Sequence, residues 1–185
     1  MRMEIHIHGY IALCEGVTRR QVEVALRPLL DYFDVENLGE VKSLEENHPG
    51  IVFHQREFAL EMCCTLEVGR HFFPALEEAL QDMSRLIEQA TAVEIIIYRP
   101  DGRDETQLMF VGPTAEAIYD AQCRHMAEDV GLLLSRQFDQ PAVDEVLKLV
   151  NDLFRRQRAA RPLPEDDEVA PSLNTPGQSG RRRLH

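Results

Sequence analysis

Two histidines one residue apart, His6 and His8, carry the most chemistry of any short pattern in this chain. On a strand, a spacing of two puts both imidazoles on one face within a few ångströms, which suits a transition metal. Residues 3–13 read as such a strand, with Met3, Ile5 and Ile7 on one side and Glu4, His6 and His8 on the other. The alternation returns between Phe58 and Leu66. There Phe58, Leu60, Met62, Cys64 and Leu66 oppose Ala59, Glu61, Cys63 and Thr65. With these two strands side by side, Glu61 and Cys63 share the face of His6 and His8, and His, His, Glu and Cys are zinc-compatible ligands. The competing reading is a polar sheet face packed under helices or in a dimer. His48 and His54 flank Pro49-Gly50 and would complete a metal site, although turn histidines are mostly exposed. His71, before a helix start, reads as structural, and His125 with Asp129 as an intrahelical pair.

Other chemistries find less support. Cys14, Cys63, Cys64 and Cys123 share no CxxC spacing, which encodes neither a zinc module nor a disulfide framework and points to free thiols in a reducing cytoplasm. Cys64 points into the core with Leu60, Met62 and Leu66, whereas Cys63 faces the histidines. Ser43, Ser84 and Ser135 lie in no nucleophile elbow, and the scattered glycines form no phosphate loop. The acid pairs Glu45-Glu46 and Glu77-Glu78 read as solvated surface.

The elements that must position these residues follow from punctuation and period. Thr18-Arg19-Arg20-Gln21 spells a capping box, and the helix it opens carries Val22, Leu26, Leu29 and Phe33, with Pro28 placed to kink or split it. A weak strand is expected over about 40–46, followed by a turn at Asn47-His48-Pro49-Gly50. After the strand at 58–66, Pro74 opens a helix striped by Phe72, Leu76, Leu80, Met83 and Ile87. Residues 93–98 form a strand apolar on both sides, and Pro100-Asp101-Gly102 turns it into another at about 105–111. Two helices follow, over 114–137 and from about 141. The second has Asp144 and Glu145 toward its start and Arg155, Arg156 and Arg158 toward its end. The first six elements match the split βαβ order of a ferredoxin-like sandwich (βαββαβ) in an α+β fold, extended by a hairpin strand and two C-terminal helices. The sheet's second face is left for those helices or for a partner. The single domain spans 1–158, and residues 159–185, rich in proline and charge, read as a disordered tail.

Charge narrows the partners. The chain carries −12; residues 159–185 hold four Arg and four acids and net to zero, so 16 basic against 28 acidic groups in residues 1–158 carry all of it. Such a body repels nucleic-acid phosphates and anionic membranes. Only the Arg-rich clusters, Arg155-Arg156-Gln157-Arg158 and Arg181-Arg182-Arg183, offer a hold on RNA or acidic proteins. No apolar run spans a bilayer, and Glu4 and His6 break the N-terminal stretch that a signal peptide needs. The sequence thus leads with a cytoplasmic, cofactor-free, non-catalytic protein, dimeric with itself, that binds a basic partner and acts as a decoy or regulator of a nucleic-acid-binding protein. The alternative is a small enzyme dependent on zinc or another transition metal, built on His6, His8, Glu61 and Cys63.

Overall fold

The computed structural model describes residues 2–160 and 172–174. Its strands are β1 (Met3–Ala12), β2 (Gly50–His54), β3 (Ala59–Val68), β4 (Thr91–Tyr98), β5 (Glu105–Val111) and the short β6 (Ser172–Asn174). Its helices are α1 (Arg19–Ala25), α2 (Arg27–Phe33), α3 (Phe72–Met83), α4 (Ala115–Leu134) and α5 (Gln140–Ala160). The strands form one antiparallel sheet in the order β2-β3-β1-β4-β5-β6, with β1 in the middle between β3 and β4. The fold is mixed α+β.

The alternation of β1 and β3 decides which face is covered. Ile5, Ile7 and Ile11 of β1 and Leu60, Met62, Cys64 and Leu66 of β3 point to one side and are buried. Helices α1–α3 lie over them, contributing Val22, Leu26, Leu29, Leu30, Phe72, Leu76, Leu80 and Met83 to a single core that also holds Val93, Ile95 and Met109. Thr18 and Gln21 close the expected capping box. Leu26 ends α1 and begins α2, so the Pro28 region splits the helix in two.

The other face is divided. α4 packs over its β4–β5 half, where Ile118 and Ala121 meet Phe110 and Leu108 in a small second cluster. The β2–β3–β1 half carries the histidines and is not covered by α4. α5 runs back along α4, tied by Arg158 to Glu116 and to Asp120 (3.1 Å) and by the Tyr119 hydroxyl to the Phe154 carbonyl (3.5 Å).

Two expectations need correction. Residues 40–46 form no strand: a 3-10 turn over Leu38–Glu40 leads into a loop, and the strand sits farther along, at Gly50–His54. Asn47-His48-Pro49-Gly50 therefore introduces β2 instead of ending it. Gly50 begins the strand at φ +86, and a Cβ there would come within 2.8 Å of the Val41 carbonyl oxygen, so glycine is required. The helix placed over 114–137 ends at Leu134. Within the stretch read as a disordered tail, residues 159 and 160 complete α5 and Ser172–Asn174 pair with Phe110–Leu108 of β5; the remainder of that stretch lies outside the described residues.

Candidate metal centre

The β1–β3 register sets the site. His8 lies directly across from Cys63, His6 from Thr65, and Tyr10 from Glu61. Residues paired across an antiparallel ladder share a face, so His6, His8, Cys63 and Thr65 all rise from the half of the sheet that α4 leaves uncovered, where the 41–49 loop closes over Thr65. One ligand atom each from His6, His8 and Cys63 lies within 4.8 Å of the other two. A tetrahedral ion with bonds of roughly 2.0–2.3 Å would hold such atoms about 3.5 Å apart, so modest side-chain rotation closes the set. His8 is exposed, His6 and Cys63 half-buried. The site thus has a solid floor and an open top.

Thr65, fully buried, organises the floor. Its hydroxyl donates to Glu45 Oε1 (3.2 Å) and lies 3.0 Å from His6 Nδ1. A hydroxyl has one proton, and the Glu45 carboxylate can only accept, so Thr65 must accept from His6 Nδ1–H. That fixes the tautomer and leaves the lone pair on His6 Nε2, the form in which histidine binds metals. His48 stands beside His6, ring centroids 4.9 Å apart, with Nδ1 3.4 Å from the Thr65 hydroxyl and Nε2 3.2 Å from Glu45. Burial lowers the His6 pKa, and neighbouring His48 lowers it further against the opposing pull of Glu45. Both effects favour the neutral ring, the form that ligates a metal.

The Cys63 thiol is pushed up, first by burial and then by Glu61 and Glu45. A catalytic cysteine needs the reverse. Without a cation Cys63 is a protonated, weakly reactive thiol, and a bound metal is what would make it a thiolate.

The structure separates Glu61 from the other three. Its carboxylate bonds His54 Nε2 at 2.7 Å and stands outside the cluster, because β2 pairs Val52 with Glu61 and brings His54 alongside it. His48, read as a turn residue, is instead part of the site. The sequence offered it as a completing residue but could not place it, since the 41–49 loop has no period. His54 could have been found from alternation had β2 been placed correctly. The remaining candidates lie elsewhere: His71 accepts from Arg70 Nε (2.9 Å), and His125 pairs with Asp129 (3.5 Å) while packing on Phe110. Cys14 is exposed, Cys64 is buried with its thiol pushed up to about 12, and Cys123 lines a groove between α4 and α5. Among the described residues no helix is long and apolar enough to cross a membrane.

Fold and site together define a class: an α+β protein whose antiparallel sheet shields one face with helices and offers a histidine–cysteine cluster on the other. The chain belongs to a family of unknown function, DUF6806, which matches residues 3–155. No curated protein and no solved structure matches it.

Proposed function

We propose that this protein binds one transition-metal ion of the zinc class through His6, His8 and Cys63. The observation that carries the reading is the convergence of two imidazoles and a thiol within 4.8 Å on the part of the sheet that α4 leaves open. Three protein ligands leave a coordination position for water or substrate, the composition of a catalytic site more than of a closed structural one. Held by His6, His8 and Cys63, such an ion would supply Lewis acidity toward a water, and the neighbouring His48–Glu45 pair would stand ready to take a proton. The reaction class is metal-assisted hydrolysis. The strand order β2-β3-β1-β4, with helices inserted after β1 and β3, supports a ferredoxin-like plan for residues 3–98 as the scaffold. Four free cysteines fit a reducing, cytoplasmic setting.

Purified protein should carry or take up zinc at close to one ion per chain. Replacing His6 and His8 together by Gln should abolish uptake while the far-ultraviolet circular dichroism stays unchanged. Absence of zinc, cobalt and copper uptake by the unaltered protein at micromolar concentration would sink the reading. A second reading, non-catalytic binding of a basic protein, is favoured by the −12 charge carried within residues 1–158. Salt-sensitive capture of basic but not acidic test proteins, unaffected by the histidine replacements, would favour it over the metal site.

A further inference from the structure

We infer that two copies of this chain pair through the α4–α5 hairpin, with α5 packed antiparallel on the α5 of the second copy. α5 has two apolar stripes. Val143, Leu147 and Phe154 turn toward α4, Val143 being buried and the other two half-buried. Val146, Leu149 and Leu153, preceded by Ala142, form the second stripe, and 57% of Leu149 and 52% of Leu153 are exposed. The intervals along 142, 146, 149 and 153 are four, three and four residues. This is the 3.5-residue repeat of a helix that packs lengthwise on another helix. α4 continues the pattern with Met126, Val130 and Leu133 at intervals of four and three. Leu134 and Phe138 join Ala142, Val146 and Leu149 in lining one shallow pocket, so the apolar surface is continuous across the hairpin. Patches of this kind on a helical pair mark an interface.

The charges select a second copy as occupant. Glu145 stands four residues before Leu149 and Arg156 seven after it, which places both along the same edge of the stripe. Neither takes part in an ion pair among the described residues, although Arg155 and Arg158 on the same helix do. An antiparallel pairing that sets Val146 against Leu153 of the second copy brings Glu145 within reach of Arg156 of that copy, and symmetry makes the contact twice. A closed two-fold interface requires this kind of self-complementarity. A parallel pairing would instead carry this edge of the two helices to opposite sides of the seam, where Glu145 of one copy and Arg156 of the other cannot meet. Opposed helix dipoles favour the same orientation.

Sedimentation velocity of the full chain across a concentration series tests the pairing. A dimer at micromolar concentration is expected, and Leu149→Asp should convert it to monomer without loss of the body's fold. Because that variant places a charge on an exposed site, circular dichroism should show the same helix content. The orientation is tested by E145R and R156E, each expected to raise the dimer dissociation constant about tenfold, a change of about 1.4 kcal/mol. The double variant E145R/R156E should recover wild-type affinity. A wild-type chain that stays monomeric at about 100 μM, or single charge reversals that leave the dissociation constant unchanged, would overturn the inference.

Discussion

Cys63 and Cys64 are neighbours in the chain and opposites in the molecule. Cys64 points under the helices among Leu60, Met62 and Leu66, with its thiol pushed up to about 12 by burial. Cys63 points the other way, across from His8, half-buried and beside two imidazoles. The same contrast runs along β1, where Ile5 and Ile7 are fully buried and His6 and His8 emerge on the opposite side. One strand pair thus builds a dry face that stabilises and a wet face that can do chemistry, and strand alternation alone separates them.

That contrast can be broken from its dry side first. Leu60→Ala or Leu80→Ala should each cost about 2–5 kcal/mol, read by denaturant unfolding, because both side chains are buried in the one core. Two near-neutral results would mean that the helices do not rest on this face. Next comes Cys64→Ser, which buries a hydroxyl among apolar groups and should cost about 1–3 kcal/mol. Cys64 should also resist alkylation until the protein unfolds, while exposed Cys14 reacts in the native state. On the wet side, Thr65→Val keeps the shape but removes the acceptor for His6 Nδ1–H. It should weaken zinc binding about tenfold to a hundredfold, measured by competition with a chelator. Unchanged affinity would show that Thr65 does not orient His6. The smallest expected effect on stability is that of Cys63→Ser, within about 0.5 kcal/mol in the metal-free protein. A cost equal to that of Cys64→Ser would erase the distinction between the faces.

The dry face was legible because burial imposes a period. The alternation of residues 3–8 and 58–66, the capping box at Thr18 and the break near Pro28 all fixed elements that the structure contains. β2 was missed for a physical reason. Its hairpin to β3 turns through Gln55, Arg56, Glu57 and Phe58, none of them a usual turn former, and Phe58 adopts φ +46, a region where phenylalanine is rare. The conspicuous Asn47–Gly50 turn lies on the wrong side of the strand. Of the site, His6, His8 and Cys63 could be assembled once β1 and β3 were assumed to be neighbours. Glu61 could not be assigned, because its partner His54 depends on where β2 begins. His48 and Glu45 sit on a loop held to β3 by Ser43 Oγ, which accepts from the Thr65 N–H, and by the Leu44 N–H, which donates to the Thr65 carbonyl, and such contacts leave no periodic trace.

The central place of β1 has a consequence for how the chain acquires its shape. Both neighbours of β1 come much later in sequence, β3 at Ala59–Val68 and β4 at Thr91–Tyr98. During synthesis the first strand emerges from the ribosome with neither edge matched, and the sheet cannot close until the chain beyond Tyr98 is free. Until β3 is free Ile5, Ile7 and Ile11 lie on an unpaired strand, and until β4 is free one edge stays open, the condition under which nascent chains associate wrongly. Glu4, His6 and His8 interrupt this apolar run with polar residues. The same alternation that sets His6 and His8 on one face of the finished sheet therefore also limits the apolar run of β1 before its neighbours arrive.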